Sequence, residues 1–439
     1  MIKAKILEIP VGRFIAEIEA PPSKSISHRA LIMAALSGRP CIVENILESD
    51  DVALTLNGLE KMGYLFQKRN RTVEFSGRQE KPGKASIDVG NSGTTARLLT
   101  AVAAIQGFPV EIDGDQRMRQ RPMEPLLNAL RRLGARVEHH QGGFPVTVVG
   151  NTSLGGRVML KASKSSQFVS ALMIIAPVTL RGIQIDLEAE IPSRSYVEMT
   201  GLMMRGAGVY LEAFPAAFKI PGEQPYRLNR WTVENDFSSA AYFLTAAAVS
   251  AGRVVLKNMP SDSLQGDRVI LDILKKSGAE IRWEKNNVQL RGQRIKGIEY
   301  DCQKCPDVVP TLAVLALFAG GDSILKNISH LKFKESDRIA AILNNIRLLG
   351  GEASLEDKNL IVRPRKLHGA RLPSYDDHRI AMSFALAGLR TAGVNIENPD
   401  CVAKSFPAFW DCFLPNIQTE KPGERLTASG RVAILPGRN

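Results

Sequence analysis

Six segments of the chain place small, hydroxyl or charged residues directly before an apolar helical run. They are PPSKSISHRAL, VGNSGTTARLL, ASKSSQFVSAL, VENDFSSAAYF, KCPDVVPTLAV and SYDDHRIAMSF. Such residues are typical of helix N-termini, whose free N–H groups and macrodipole attract anions. Lys24, Arg29, Arg97 and Arg379 add positive charge at these starts. Capping explains some of the serines but not these cations, so the sequence predicts sites for an anionic small molecule.

Two further segments carry more charge than capping requires. GDQRMRQRPMEPL contains Arg117, Arg119 and Arg121 before a predicted helix, and LKFKESDRIAAIL contains Lys334 and Glu335. Arginine suits bidentate contact with carboxylate or phosphate. The second segment could also be a solvated first helical turn, and the sequence leaves that interpretation open.

A carboxylate stands at the start of the fifth helix, where Asp307 follows Pro306. If the helices are arranged alike, Asp307 and Glu335 would face a common cleft. A pair of positioned carboxylates can act as general base and general acid. Asp307 could instead cap its helix, since aspartate is a favoured capping residue.

The sequence gives little support for a metal or nucleotide site. GNSGTT is typical of a backbone nest for anions, but no GK[ST] follows it, so ATP binding is not indicated. Cys302 and Cys305 form a single CxxC, whereas a zinc ribbon needs a second pair. The odd, sparse set of five cysteines also argues against a disulfide framework. We predict no metal and no cofactor.

The composition indicates a globular protein, with 44% hydrophobic and 23% charged residues. The net charge of +12 fits nucleic acid or an anionic small substrate. Because like charges never run in blocks of five and aromatics are only 6%, we predict no nucleic-acid partner. No apolar run is long enough to span a membrane, and the start MIKAKILEIPVGRF lacks a signal-peptide core. We therefore expect a cytoplasmic protein, without a membrane partner and acting as a monomer.

A weak internal repeat organises the whole chain. Six times a helical stretch runs into a glycine and a short apolar strand, at Gly38, Gly107, Gly182, Gly252, Gly321 and Gly393. A second series interleaves with it, at Gly63, Gly134, Gly208, Gly278 and Gly350. Glycine after a helix is typical of a left-handed C-cap. Six units of about 70 residues follow from the repeat spacing.

The repeat predicts two domains of three units each, because a chain of this length usually divides. We place one domain at 22–235 and the other at 1–21 with 236–419, with an exposed extension over 420–439. The runs AKILEIP and FIAEIEA have no partner near the N-terminus. We expect both to complete the last unit.

The motifs also resemble one family. SKSISHR, GNSGTTAR, RMRQRP, SSQF, SRSYVEMT, KESDR, DDHRIAM and AKSFP occur in the order seen in 5-enolpyruvylshikimate-3-phosphate synthases, over roughly residues 12–415. The resemblance implies an α/β (α+β) enolpyruvyl transferase fold of two domains, each of three βαβαββ units in an inside-out α/β barrel. It also implies transfer of the enolpyruvyl group of phosphoenolpyruvate to shikimate 3-phosphate, with closure of the domains over the substrates.

The resemblance assigns roles residue by residue. The residues that it implies for shikimate 3-phosphate are Lys24, Ser25, Arg29, Ser165, Ser166, Gln167, Ser193, Tyr196, Asp307 and Lys334. Those implied for phosphoenolpyruvate are Lys24, Gly93, Arg121, Gln167, Arg338, Arg379 and Lys404. Those implied for catalysis are Asp307, Glu335, Lys24, Lys334 and His378. The chain departs from the family pattern at His330, where asparagine or another small polar residue is common. It departs again at Leu98, where one branch has proline.

Two other functions remain as alternatives. UDP-N-acetylglucosamine enolpyruvyl transferases share the architecture, but they usually have a cysteine in the loop corresponding to GDQRMRQRPM, and this segment has none. A nucleic-acid-binding, RNA cyclase-like repeat protein would place its positive charge along an outer surface. Here the cations cluster at helix starts, which favours an anionic small-molecule site.

Overall fold

The computed structural model describes residues 5–78, 82–419, 424–426 and 432–434, the last two ranges as backbone only. Its helices begin where an N-terminal signature precedes an apolar run, as at Ser92 and Asp236, whose side chains accept backbone hydrogen bonds. The α-helices are α1 (Lys24–Ser37), α2 (Asp50–Lys61), α3 (Gly93–Ala103), α4 (Gln116–Gln120), α5 (Glu124–Arg132), α6 (Gln167–Ile175), α7 (Arg194–Gly206), α8 (Phe237–Val249), α9 (Ile270–Lys276), α10 (Val309–Leu317), α11 (Arg338–Leu348), α12 (His378–Gly388) and α13 (Phe409–Phe413).

The strands are mostly short and alternate buried with exposed residues, as the period of a half-buried strand requires. They are β1 (Ile6–Glu8), β2 (Arg13–Glu19), β3 (Cys41–Glu44), β4 (Tyr64–Arg69), β5 (Thr72–Arg78), β6 (Ala85–Asp88), β7 (Val110–Asp113), β8 (Arg136–His140), β9 (Gly143–Val149), β10 (Gly156–Leu160), β11 (Ile183–Leu187), β12 (Glu212–Phe214), β13 (Ala217–Ile220), β14 (Arg230–Thr232), β15 (Arg253–Lys257), β16 (Glu280–Glu284), β17 (Asn287–Arg291), β18 (Glu299–Asp301), β19 (Ser323–Lys326), β20 (Glu352–Glu356), β21 (Asn359–Arg363), β22 (Arg371–Leu372), β23 (Asn395–Glu397), β24 (Ile417–Gln418), β25 (Glu424–Leu426) and β26 (Val432–Ile434).

The repeat unit is a βαβαββ element, as the family resemblance implies. In the third unit β10, α6, β11, α7, β12 and β13 follow one another, and the sheet order is β10-β11-β13-β12. The first pair is parallel and the other two are antiparallel. The same order recurs in β6-β7-β9-β8 and β18-β19-β21-β20. The α/β fold class is therefore confirmed, with separate small sheets and no closed barrel among the described strands.

The first helix of each unit is an inner helix. Every residue of α8, α10 and α12 is buried, and these three helices pack against one another, as do α1, α3 and α6. Helices that are apolar all round can be stable only inside a core. All six predicted helix starts therefore lie at the ends of inner helices.

The buried apolar residues form two clusters. One runs from Ile26 to Val233, and the other joins residues between Ile9 and Ala20 to residues from Phe237 to Ile417. We call the two parts the first half and the second half. The chain passes between them twice, and these passages lie side by side, because Pro22 and Asn235 form an antiparallel bridge.

The N-terminal strands belong to the second half, but only one of them completes the last unit. β1 pairs with β23 in the sixth sheet, as expected for AKILEIP. The expectation for FIAEIEA is wrong, since β2 pairs parallel with β15 in the fourth sheet. β2 thereby supplies the first parallel strand of a unit whose own sequence begins with a helix. In the same way β14 completes the first sheet beside β3.

The two glycine series have different geometries. All five glycines of the second series have positive φ, as predicted for left-handed C-caps, whereas Gly252 and Gly321 of the first series do not. The predicted extension over 420–439 lies outside the described residues except for β25 and β26, which pair antiparallel. Across the described part of the chain, no helix has both the length and the apolar character needed to cross a bilayer.

Candidate active site

A cleft between the halves collects the starts of the inner helices. Lys24, Thr94 and Gln167 line it from the first turns of α1, α3 and α6, and Asp307 and Arg379 line it from the second half. Parallel packing of the inner helices brings these ends together. Helix N-termini are favourable places for anions, so the fold itself directs positive potential into this cleft.

Arg29 is a buried cation with neutral partners. Its guanidinium donates to Thr200 Oγ1 at 2.8 Å, to the Ser25 carbonyl oxygen at 2.9 Å and more weakly to Ser170 Oγ and the Tyr196 carbonyl oxygen. Within the described residues, no carboxylate forms an ion pair with it. Burial lowers the pKa of Arg29 to about 10. A buried charge without a counter-charge is costly, and an anionic ligand would relieve that cost.

Arg97, in α3, is a second buried cation whose hydrogen-bond partners are neutral. It donates to Gln167 Oε1 at 2.9 Å and to the carbonyl oxygens of Gly93 and Pro122, both at 3.1 Å. Gln167 in turn donates to Thr94 Oγ1 at 2.9 Å. Burial lowers the pKa of Arg97 well below its usual value. In the part of the chain described, Arg97 Nε has no hydrogen-bond partner, which leaves a donor for a ligand.

Arg121 closes the same corner. Its guanidinium donates to the carbonyl oxygen of Asn91 at 3.0 Å and lies 3.9 Å from Glu335 of the second half. Gly93 begins α3 beside it, and a Cβ there would collide with the guanidinium groups of Arg121 and Arg97. The glycine therefore permits two arginines to approach the start of α3.

Lys24 lies at the start of α1, where its ammonium forms an ion pair with Asp51 at 2.9 Å. Both side chains are largely buried. Asp51 belongs to the first turn of α2, where the sequence alone suggests only an acidic helix start. The structure shows that it holds Lys24 in the cleft.

The serines of the predicted set line the cleft near α6 and α7. Ser165 Oγ accepts the backbone N–H of Gln167 at 3.3 Å, and Ser166 is buried beside it. Ser193 precedes α7 in the left-handed region, with φ of 59°. Such a conformation is uncommon for a residue other than glycine and occurs often at functional sites.

Tyr196 joins the first half to the carboxylates of the second. Its hydroxyl lies 3.0 Å from Asp307 Oδ2 and 3.3 Å from Asp267 Oδ2. Burial and the two carboxylate charges raise the pKa of Tyr196 well above its usual value, so the phenol donates its proton in these bonds.

Asp307 is surrounded by cations. It accepts hydrogen bonds from Arg338 Nη1 at 3.0 Å and Arg379 Nη2 at 2.8 Å, and Lys334 Nζ lies 3.7 Å away. Burial alone would raise the pKa of Asp307, but these three positive charges hold it well below its usual value. The α10 start has no side-chain cap, so the capping interpretation of Asp307 is wrong.

Glu335 shares the Arg338 guanidinium, accepting from Nη2 at 2.6 Å. Arg338 also binds both oxygens of Asp377, at 2.8 and 3.2 Å. Burial opposes ionisation of Glu335, yet Arg338 and Arg121 hold its pKa well below the usual range. Both carboxylates are therefore ionised at neutral pH.

Three further titratable groups flank this cluster. Burial lowers the pKa of Lys334, although Asp307 partly offsets the effect. Burial also lowers the pKa of His330 to about 3 and that of His378 well below its usual value. Both imidazoles are thus neutral. Neither ring nitrogen of His378 meets a hydrogen-bond partner within the described residues.

Four predicted residues are not among those that line the cleft: Gly93, Arg338, His378 and Lys404. Gly93 and Arg338 contact residues that do line it, and His378 precedes Arg379 in α12. Lys404 ends the 3-10 helix Pro399–Lys404 beside α12 and lies apart from the others. Sequence reasoning also missed Asp51, Asp267 and Asp377 as partners of site residues. Asp377 had a visible signal, since it stands in the DDHR motif, whereas nothing in the sequence around Asp267 distinguishes it.

Comparison with known proteins places these observations in one family. The family model described as EPSP synthase (3-phosphoshikimate 1-carboxyvinyltransferase) matches residues 10–413. A 3-phosphoshikimate 1-carboxyvinyltransferase of Syntrophobacter fumaroxidans is 39% identical, with 92% of this chain and 97% of the relative covered. The one from Pasteurella multocida is 37% identical, with coverage of 92% and 96%. A solved EPSP synthase from Acinetobacter baumannii superposes with a TM-score of 0.78 at 27% identity, covering 93% of this chain and 98% of that one.

Proposed function

The chain belongs to the EPSP synthase family, and from that premise we propose which side chains of the cleft carry out the family's reaction. The enzyme is a 3-phosphoshikimate 1-carboxyvinyltransferase of the shikimate pathway. It transfers the enolpyruvyl group of phosphoenolpyruvate to the 5-hydroxyl of shikimate 3-phosphate and releases phosphate. One observation carries the assignment of roles. Arg29 and Arg97, which are buried and bind neutral partners, line the same cleft as two carboxylates that form ion pairs with cations. These carboxylates are Asp307 and Glu335.

We assign shikimate 3-phosphate to the side of the cleft around Arg29. Arg29 lacks a counter-charge among the described residues, and an anionic phosphate would supply one. Ser165, Ser166 and Ser193 add hydroxyl groups along the same wall. The remaining members of this proposed set, beside or across the cleft from Arg29, are Lys24, Ser25, Gln167, Tyr196, Asp307 and Lys334.

We assign phosphoenolpyruvate to the corner around the start of α3. Gly93 leaves room there for the side chains of Arg121 and Arg97. The family resemblance implied Arg121 as a phosphoenolpyruvate ligand but did not imply Arg97. Lys24, Gln167 and Arg379 line the adjoining wall. Arg338 has five N–H groups, and its bonds to Asp307, Glu335 and Asp377 leave it one Nη1 hydrogen for a ligand. Lys404 stays a prediction, since it is not among the residues that line the cleft.

The reaction needs two proton transfers. The 5-hydroxyl loses its proton as its oxygen attacks C2 of phosphoenolpyruvate, while C3 gains one, and C3 then loses a proton as the C2–O bond to phosphate breaks. Asp307 lies beside Tyr196 and Lys334, both in the proposed shikimate 3-phosphate set. We therefore assign it to accept the hydroxyl proton.

Glu335 lies between Arg121 and Arg338, which belong to the phosphoenolpyruvate set, so we assign it to C3. It must carry a proton to donate one. Two anionic substrates would compete for its cations and add negative charge, and both effects raise the pKa of a carboxyl group. Lys334 stabilises Asp307, and neutral His378 flanks Glu335 without competing for its charge.

The division at 22–235 and 1–21 with 236–419 is proposed as the domain boundary. The two apolar clusters and the paired chain passages support it. A monomer in the cytoplasm, with no nucleic-acid or membrane partner, is the assembly and setting we propose for the enzyme.

Phosphate release from phosphoenolpyruvate tests the function. We expect release with shikimate 3-phosphate as acceptor and only background with UDP-N-acetylglucosamine. Release with the sugar nucleotide instead would establish the alternative activity. Shikimate without its phosphate is the matched control, because it keeps the attacking hydroxyl and lacks the group assigned to Arg29.

A further inference from the structure

Arg117 joins the first half of the protein to the segment that carries two proposed active-site side chains. It lies in α4, and its guanidinium donates from Nε to the Glu335 carbonyl oxygen at 3.0 Å and from Nη2 to the Lys334 carbonyl oxygen at 3.1 Å. These two bonds link positions more than two hundred residues apart in the chain. Arg117 does not touch the side chains of Lys334 or Glu335 in these bonds, but it holds their backbone.

We propose that Arg117 is a positioning residue: by fixing the backbone of Lys334 and Glu335 to the first half, it sets where their ammonium and carboxylate groups lie when the cleft is closed. The proposal rests on the function proposed above. A planar guanidinium can bind two adjacent carbonyl oxygens at once, which a single ammonium cannot do with the same geometry.

The local backbone explains why such support is needed. Lys334 and Glu335 fall between the end of a 3-10 helix, Ser329–Phe333, and the start of α11 at Arg338. The nearest backbone bond, from Lys334 N–H to the Leu331 carbonyl oxygen, is long at 3.4 Å. Loop residues carry little positional order of their own, so a contact from the opposite half can determine their placement.

A second contact from the first half reaches the same segment. The Lys164 ammonium lies 5.6 Å from the ring centroid of Phe333, within the range of a cation–π interaction. Lys164 belongs to the stretch before α6, separate from α4. Two independent elements of the first half therefore hold residues 333–335.

The segment before Asp307 is held in the same manner. The Ser193 N–H donates to the Gln303 carbonyl oxygen at 2.8 Å, and Ser195 Oγ donates to the Lys304 carbonyl oxygen at 2.5 Å. The first half therefore binds the backbone carbonyl oxygen of Glu335 itself and the backbone carbonyl oxygens just before Asp307. Closure of the halves would then assemble the acid–base pair, rather than only exclude water.

Arg119 provides a matched control on the same short helix. It forms its ion pair with Asp113 of its own half, at 2.5 Å, and is exposed. Arg119→Lys makes the same chemical change on the same helix, and Arg119→Ala removes a cation at nearly the same place, and neither substitution affects a contact with the second half. Burial lowers the pKa of Arg121, and the positive charge of Arg117, which repels that of Arg121, lowers it further. The test must therefore separate the effect of the Arg117 charge from the effect of its contacts with the backbone.

The test compares Arg117→Lys with Arg119→Lys, measuring turnover, the Michaelis constants of both substrates and direct binding of shikimate 3-phosphate. Lysine keeps the charge but loses the paired contact. We expect turnover of Arg117→Lys to fall by about 10- to 100-fold, the range that a small misplacement of catalytic groups produces. Direct binding of shikimate 3-phosphate stays within about threefold, and Arg119→Lys behaves like the parent.

Arg117→Ala adds a second readout. Methylguanidinium at millimolar concentration should restore part of its turnover by occupying the vacated contact, and it should leave Arg119→Ala unchanged. The inference is overturned if Arg117→Lys turns over within about twofold of the parent, if Arg119→Lys loses as much, or if methylguanidinium restores nothing to a folded Arg117→Ala. A parent protein with no turnover would instead contradict the proposed function.

Discussion

Gly93 is the residue at which the phosphoenolpyruvate assignment can be tested most simply. A methyl group there would collide with the guanidinium groups of Arg97 and Arg121. Gly93→Ala should raise the Michaelis constant of phosphoenolpyruvate about tenfold or more, because close backbone approach to an anion is lost. The constant for shikimate 3-phosphate should change little.

Gly321→Ala is the control for this substitution, since its added Cβ would meet nothing within 4 Å and its φ is not positive. Steady-state kinetics with each substrate varied in turn measures both constants. An increase confined to shikimate 3-phosphate would show that the start of α3 serves the other substrate.

The carboxylates allow a second prediction at the same scale. Asp307→Asn and Glu335→Gln remove a base or an acid while keeping shape, so each should lower turnover by about 100-fold or more. Direct binding of shikimate 3-phosphate should stay nearly normal. Rapid-quench or steady-state turnover and calorimetric binding separate the two effects.

Asp337→Ala is the control for a purely capping role, because Asp337 caps α11 by accepting the Ala340 N–H at 3.1 Å and alanine cannot replace that bond. Loss of a cap costs about 1 kcal/mol of stability and should leave turnover intact. If Asp307→Asn, like Asp337→Ala, turned over normally, Asp307 would have no part in proton transfer.

Residue identities in the cleft were largely predictable from sequence, whereas their pairings were not. The segments SKSISHR, GNSGTT and KESDR indicate a site for anions by their residue types alone. The ion pair of Lys24 with Asp51 joins two helices, and the bonds from Arg117 join two halves. Such partners depend on the packing of distant elements, and a local pattern carries no information about them.

At the scale of the element, the N-terminal segment is a structural part of the second half. Ile9, just after β1, is 1% exposed and packs against the position of Gly388 in α12, while Ile6 within β1 is 44% exposed. Ile9→Ala should therefore lower the free energy of unfolding by about 2–5 kcal/mol. Ile6→Ala should change it by less than about 0.5 kcal/mol.

Urea unfolding followed by circular dichroism compares the two variants. Equal effects, or a stable Ile9→Ala, would mean that the N-terminal segment does not belong to the core of the second half. Loss of stability should leave the affinity for shikimate 3-phosphate of the folded enzyme unchanged, because Ile9 lies outside the cleft.

The helices were easier to predict than the strand partners. The six inner helices begin where Ser, Thr, Asp, Gly or Pro precedes an apolar run. FIAEIEA was also correctly predicted as a strand, but it pairs with β15 and not with β23 as expected. Alternation identifies a half-buried strand, yet it does not say which of six similar sheets lacks its first strand. That choice is made by the fold of the whole chain.

At the scale of the whole molecule, two halves of similar architecture meet through polar contacts around the cleft. Arg29 and Arg97 on one side face a cluster on the other that includes Lys334 and Arg379. Repulsion between these cations opposes closure, and anionic ligands would remove it, since they bind the closed arrangement better.

We therefore expect small-angle scattering to give a smaller radius of gyration with shikimate 3-phosphate and an inhibitor that replaces phosphoenolpyruvate. Inorganic phosphate alone, which cannot reach both sides of the cleft, is the control. An unchanged radius with the ligand pair would show that closure is not linked to neutralisation of the cleft.

Proton transfer to C3 of phosphoenolpyruvate is tested most directly by turnover in deuterium oxide, followed by proton NMR of the product. If the hydroxyl adds to C2 while C3 gains a deuteron from an exchanged carboxyl group, the intermediate carries a CH2D group. Rotation of this methyl group interchanges its three hydrogens, so elimination removes mostly protium and leaves deuterium in the vinyl group of the product. We predict deuterium there with the parent protein and slow formation of the same labelled product with Glu335→Gln. Complete conversion to 5-enolpyruvylshikimate 3-phosphate without deuterium would contradict proton transfer to C3, and with it the roles given to the carboxylates of the cleft.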